Sequence, residues 1–187
     1  MKELSLHILD IAENSVKAGA TLVRIEVTDD EKRRVIRVLD DGCGMTPEIL
    51  AGVINPFYTT RTTRKVGLGV PLIKLAAEQT GGSLRIDSRH ESLYPETHGT
   101  ELEAVFFHRH VDCAPMGDIV ATVRTLIQGH PDRDFLFVHT NGRDTVTLDT
   151  RQMREVLGEE IPLHTPEVLV WISESLDEQY AQFSFVQ

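Results

Sequence analysis

The chain has 187 residues, enough for one large domain or for a medium and a small one, and 41% of them are hydrophobic, which suffices for packed cores. Its formal net charge of -10 argues against a nucleic-acid surface, because phosphate contacts need clustered Lys and Arg, and the one dense basic cluster is the loop from Arg61 to Lys65. Cys43 and Cys113 are too few and too far apart for a disulfide framework. No stretch reads as a signal peptide or approaches a membrane span, so the expected setting is the reducing cytoplasm.

The first residues run directly into a helical pattern. Glu3, His7, Asp10, Asn14 and Lys17 recur at steps of four and three and so share one helix face. Leu4, Leu6, Ile8, Leu9, Ile11, Ala12 and Val16 cover the rest. The pattern predicts a mostly buried helix with one narrow polar seam turned toward something hydrated, either a pocket or plain solvent.

Farther on, Val35-Ile36-Arg37-Val38-Leu39 alternates like a strand and delivers Asp40 into the loop Asp40-Asp41-Gly42-Cys43-Gly44. An ionised carboxylate only accepts hydrogen bonds, which suits it to an exocyclic amine such as that of adenine. Gly42 and Gly44 allow positive φ and close approach of backbone to a flat ligand. The same pentapeptide also reads as a tight Asp-Gly turn leading to a helix with Thr46 as N-cap and Pro47 at its first position, and both readings can hold at once.

Gly67-Leu68-Gly69 opens into a helix over residues 70–79 that is closed by Gly81-Gly82. The exposed N–H groups of such a helix start attract phosphate, and Arg61, Arg64 and Lys65 gather positive charge just before it. Pro71 must then lie within the first turn.

After His108-Arg109-His110-Val111-Asp112-Cys113-Ala114-Pro115, which reads as a linker, a smaller unit follows. His108, His110 and Cys113 are metal-ligand types, but a closed zinc site needs a fourth ligand and none is near in sequence. A helix is expected over 117–128, and Phe135-Leu136-Phe137-Val138-His139-Thr140, Asn141-Gly142 and Thr145-Val146-Thr147-Leu148 give a strong hairpin signal. A helix over 150–157, capped by Asp149 or Thr150 and stopped by Gly158, comes next. Val168-Leu169-Val170-Trp171-Ile172 reads as a buried strand. This unit of about 70 residues is near the size at which a core is marginal alone, so it is expected to pack on the first domain or on a partner.

Taken in order, these motifs resemble those of the GHKL superfamily, the gyrase, heat-shock chaperone, histidine kinase and MutL group of ATP-binding domains. Glu13-Asn14-Ser15-Val16-Lys17-Ala18-Gly19-Ala20-Thr21 is similar to the N box of MutL proteins, and Asp40 to Gly44 matches the Asp-x-Gly-x-Gly box. Pro56-Phe57-Tyr58-Thr59-Thr60-Arg61 and Gly67-Leu68-Gly69 look like the F and G2 boxes of histidine kinases and their serine-kinase relatives. His98-Gly99-Thr100-Glu101-Leu102 resembles the last glycine-threonine box.

The resemblance covers residues 1–108 and implies an α+β fold, a two-layer sandwich with a mixed, mostly antiparallel sheet (the Bergerat fold). A linker at 109–116 and a small α+β domain at 117–187, regulatory or partner-binding, would follow. The implied cofactors are ATP and Mg2+. Asn14 would coordinate the metal, Asp40 would bind adenine directly and Thr100 through a water, and Gly42, Gly44 and Met45 would line the base. Gly67, Leu68, Gly69 and Val70 would close over the phosphates, with Thr60, Arg61 and Lys65 beside them.

One position departs from the family pattern. Four residues before the metal asparagine, MutL and gyrase proteins carry a glutamate that orients the attacking water, and here that residue is Asp10. It shares a face with Asn14 but is one methylene shorter, which implies slow hydrolysis. Glu13, turned about 100° away from Asn14, is the weaker alternative. Three readings remain: a slow ATPase acting as a regulatory switch, a kinase phosphorylating a protein partner in trans, and a nucleotide sensor that does not hydrolyse. No nucleic-acid or membrane partner is expected.

Overall fold

The computed structural model describes residues 3–53, 69–158 and 160–184. Helix α1 (Leu4–Lys17) has no side-chain cap at its start; the Leu4 and Ser5 N–H groups instead donate to the Pro115 and Met116 carbonyls at 2.9 and 2.8 Å. The segment that the sequence marks as a linker thus satisfies donors that a helix end leaves orphaned. Gly117 follows at φ +76°, where a Cβ would fall 2.7 Å from that of Glu3, so only glycine lets the chain cross α1 this closely.

Strands β1 (Leu22–Asp29) and β2 (Arg33–Asp40) form a hairpin, followed by α2 (Pro47–Val53), α3 (Gly69–Gln79), β3 (Ser83–Arg89) and β4 (Gly99–Phe107). Then come α4 (Ile119–Gly129), β5 (Asp134–Thr140), β6 (Thr145–Asp149), α5 (Thr150–Leu157) and α6 (Pro166–Gln182). The six strands form one sheet in the order β3-β4-β2-β1-β5-β6. Every neighbouring pair is antiparallel except β1 and β5, which run parallel from Leu22↔Asp134 to Thr28↔Thr140.

Alternate residues face the core: Val23, Ile25 and Val27 on β1, Ile36 and Val38 on β2, Leu102, Ala104 and Phe106 on β4, Phe135 and Phe137 on β5. Their intervening neighbours are exposed or half-buried, the period-two pattern of a sheet covered on one face. The buried stripes of α1, α3, α4 and α6 join that face in one hydrophobic cluster. This is the expected α+β two-layer sandwich. No break in sheet or core coincides with 109–116, since β5 and β6 extend the sheet along the edge of β1.

The expected hairpin and the helix after it are present: Asp149 caps α5, accepting from the Arg151 N–H at 3.0 Å, and Gly158 ends it. The strand expected over residues 168–172 is instead the opening of α6. A five-residue apolar run carries no period of its own. The neighbours decide, because Pro166 is the first helical residue and Thr165 the cap position. Val168, Leu169, Ile172 and Leu176 are buried at helical spacing while Val170 and Trp171 point outward. No helix among the described residues is long and apolar enough to cross a membrane.

Candidate functional site

The last residue of β2, Asp40, is held from three directions. Its Oδ1 accepts from the Gly42 N–H at 3.0 Å and the Thr100 N–H at 3.2 Å, and its Oδ2 accepts from the Ser15 hydroxyl at 2.6 Å. Thr100 reaches it because β2 and β4 pair in a register that sets the two residues opposite each other. Behind them, the Thr100 and Ser88 hydroxyls lie 2.8 Å apart, and the Met45 N–H donates to Ser88 at 2.8 Å. Burial raises the Asp40 pKa above the usual carboxylate value; the three hydrogen bonds oppose that rise and the Asp41 charge adds to it.

Asp41 has a different task. It accepts from the N–H groups of Thr21 and Leu22 at 2.7 and 2.9 Å and from the Thr21 hydroxyl, tying the loop to the start of β1. Burial pushes its pKa upward, but these bonds win and hold it below the usual value. The Cys43 N–H donates to the Ala18 carbonyl at 2.9 Å, and Gly44 sits at φ +66° against the Arg89 carbonyl, with no room for a Cβ. The loop is therefore a tight turn and a fixed cradle around one carboxylate.

The other end of the site lies one turn back along α1. Asp10 is exposed and Asn14 half-buried, and both face Gly69, the first residue of α3. A Cβ built on Gly69 would lie 3.3 Å from the Asp10 Cβ and 3.6 Å from Asn14 Nδ2 and Asp10 Oδ2. A helix start, whose first N–H groups have no partner within the helix itself, thus adjoins an amide and a carboxylate. Val70 is buried beneath, and Pro71 falls in the first turn of α3 as required. Glu13 points elsewhere, accepting from His130 Nε2 at 2.8 Å near the end of α4.

Asn14 and Asp10 offer oxygen donors, and no group of three His, Cys, Asp or Glu among the described residues could hold a metal by itself. That donor set fits Mg2+, which takes few protein ligands and draws the rest from phosphate and water. His108 Nε2 donates to the Asp30 carbonyl at 2.7 Å, away from any such group. Thr60, Arg61, Lys65, Gly67 and Leu68 lie outside the described residues.

The polar seam on α1 needs one correction. His7 is not at a hydrated surface: it is 1% exposed, and its Nδ1 has no hydrogen-bond partner among the described residues. Residues three back and four on from it are Leu4 and Ile11, so its position straddles the polar and apolar stripes and falls on the buried side. Burial lowers its pKa. Sequence reasoning also passed over Ser15 and Ser88 as partners in the site. A serine among Ile8, Ile11 and Ala12 on a buried stripe is the available signal, since a buried hydroxyl needs a partner.

Residues 2–110 match the family model described as histidine kinase-, DNA gyrase B- and HSP90-like ATPase. Among curated proteins, the chain is 32% identical over 93 residues to a putative sensor histidine kinase NtrY-like of Rickettsia felis, covering 49% of this chain and 15% of that one. It is 33% identical over 67 residues to the CAI-1 autoinducer sensor kinase/phosphatase CqsS of Vibrio cholerae, covering 36% and 10%. The chain thus matches only a small part of the length of these relatives.

Among solved structures, the ATPase domain of Aquifex aeolicus MutL complexed with ADP superposes with a TM-score of 0.57 at 19% identity, over 84% of this chain and 69% of that one. The N-terminal domain of a DNA repair protein gives 0.54 at 14% identity, over 85% and 58%. At these identities the likeness is one of fold, and it reaches beyond residues 2–110.

Proposed function

Because the chain belongs to the histidine kinase-, DNA gyrase B- and HSP90-like ATPase family through residues 2–110, we propose that it binds Mg-ATP and hydrolyses it slowly as a regulatory switch. The observation that carries this reading is that α1 serves both ends of the site. Ser15 holds the Asp40 carboxylate, while Asn14 and Asp10 face the first residue of α3.

In this reading, Asp40 accepts a hydrogen bond from the adenine amino group, and Gly42 and Gly44 let the base lie against the loop. Asn14 holds the magnesium, which supplies charge neutralisation to the phosphates. The helix start at Gly69 and Val70 receives the phosphate oxygens through its N–H groups, with Arg61 and Lys65 as the accompanying cations. Asp10 accepts a proton from the attacking water and orients it. Phosphoryl transfer depends chiefly on positioning and charge stabilisation, so a longer reach from a shorter side chain lowers the rate without abolishing it.

A second reading, transfer of the phosphoryl group to a partner protein, is favoured by the two relatives whose names describe sensor kinases. One experiment separates the readings: γ-labelled ATP and Mg2+ are incubated with the protein, alone and with cell extract, and free phosphate is resolved from protein-bound label. Free phosphate that is lost in Asp10→Asn supports the switch. Label on an extract protein makes it a kinase. Binding with neither product leaves a nucleotide sensor, and no binding at all overturns the proposal.

A further inference from the structure

Between α5 and α6 and beside strand β6 lies a groove of about 890 Å3. Leu136, Met153, Val156, Ile161, Val168 and Trp171 line it. Val156 is 86% exposed and Trp171 53%, with Ile161 also exposed, so large apolar side chains from both helices and their connection turn onto one open surface. No described element covers it. Grouped apolar side chains of this kind mark interaction sites, whereas single exposed ones need no explanation. The buried Thr165 hydroxyl, also on the groove wall, has no hydrogen-bond partner among the described residues.

The charged residues that line the groove, Asp149 and Glu167, are both acidic. Helix α6 carries Glu167, Glu174, Asp177 and Glu178 and no Lys or Arg at all. The cations of α5 are already engaged, Arg151 with Asp149 at 2.7 Å and Arg154 with Asp134 at 2.9 Å. An occupant must therefore bring apolar anchors for the floor and positive charge for the rim. We propose that this groove docks a short amphipathic segment of a partner protein whose large apolar side chains are flanked by Lys or Arg. The inference stands apart from nucleotide binding, since no groove residue belongs to the site around Asp40.

Trp171 is the only tryptophan, so its emission reports occupancy directly. A random displayed peptide library is selected on the full chain, and synthetic copies of the enriched sequences are titrated while Trp171 fluorescence is followed. The expected result is enrichment of apolar sequences flanked by Lys or Arg, a blue shift on binding, and affinity that falls with added salt. Val156→Asp, at a site exposed enough to leave the fold intact, should weaken binding at least about tenfold, and Glu167→Lys with Glu174→Lys should weaken it as well. Circular dichroism checks that these variants are folded. Acidic or neutral consensus sequences, no enrichment, or binding indifferent to Val156→Asp would each overturn the proposal. So would self-association of the chain that Val156→Asp abolishes, because the occupant would then be a second copy.

Discussion

The Ser15 hydroxyl donates to Asp40 Oδ2 at 2.6 Å, and Ser15 is the immediate neighbour of Asn14 on α1. Successive helix residues diverge by about 100°, so one turn of helix serves two ends of the site, the carboxylate at the end of β2 and the backbone at the start of α3. A shift of α1 along its axis would disturb both together. The position of α1 is fixed from outside as well, by the carbonyls of Pro115 and Met116 at its first turn.

Asp40→Asn tests the binding role separately from folding. Burial raises the Asp40 pKa, so folding makes this carboxyl harder to ionise than it is in the unfolded chain. The group's stabilising contribution is full below the unfolded value near 3.9 and is lost as pH rises through the higher folded value. At neutral pH the asparagine variant should therefore melt no lower than the wild type. Its ATP affinity, measured by calorimetry, should fall at least about tenfold, since a hydrogen bond to a charged group is worth about 1.5–3 kcal/mol. Wild-type affinity should likewise decline on acidification at a higher pH than an ordinary carboxylate would give.

Gly69→Ala probes the other end of the site. The new Cβ would crowd Asp10 at 3.3 Å and touch Asn14 at 3.6 Å, with no closer backbone atom among the described residues. Alanine favours helix by up to about 1 kcal/mol over glycine, so the melting temperature should hold or rise. Mg-ATP binding should weaken even so, because the space between α1 and α3 narrows. Unchanged affinity in a titration would mean that phosphate does not sit between Asp10, Asn14 and Gly69.

Much of this arrangement is legible in the sequence because it is local. The alternation into Asp40, the Asn141-Gly142 turn and the cap at Asp149 each act within a few residues. What escaped is set by distant partners. The parallel pairing of β1 with β5 joins Leu22 to Asp134, and nothing in either strand names the other. Ser88 matters only because β3 pairs with β4 and brings it beside Thr100. The run at 168–172 reads as a strand when taken alone, and that reading fails because Thr165 and Pro166 before it decide for a helix.

The junction between β1 and β5 also holds a buried polar chain. Arg34 donates twice to Asp29 at 2.7 Å, His139 Nε2 lies 3.3 Å from Asp29 Oδ2, and His139 Nδ1 lies 2.8 Å from the Tyr180 hydroxyl. Burial opposes the Asp29 charge, but the bonds from Arg34 and His139 prevail and hold its carboxyl well below the usual range. A depressed folded value adds stability that is present above the unfolded value near 3.9 and is lost as pH falls toward the folded one. The wild-type melting temperature should drop through that window, and Asp29→Asn should lack this part of the drop. At neutral pH the variant should be less stable by about 3 kcal/mol, since it leaves Arg34 uncompensated in a largely buried site. Denaturant titration at several pH values measures both effects.

Strand β6 ends the sheet, and a free strand edge invites pairing with another chain. Here the Gln179 side chain from α6 takes the place of a neighbouring strand at one residue. Its Oε1 accepts from the Thr147 N–H at 2.8 Å, and its Nε2 donates to the Thr147 carbonyl at 3.1 Å. Gln179→Ala removes both bonds. Thr147 is exposed and water can replace them, so the stability loss should be about 1 kcal/mol or less. The larger consequence should be association: the edge of β6 becomes open, and light scattering should register concentration-dependent growth of assemblies that the wild type does not form. Gln179→Glu separates the two effects, since a carboxylate can still accept from the Thr147 N–H but repels the Thr147 carbonyl, and its charge guards the edge. It should lose stability like the alanine variant yet stay monodisperse. Equal association in both variants would mean that the lost stability, and not the uncovered edge, drives assembly.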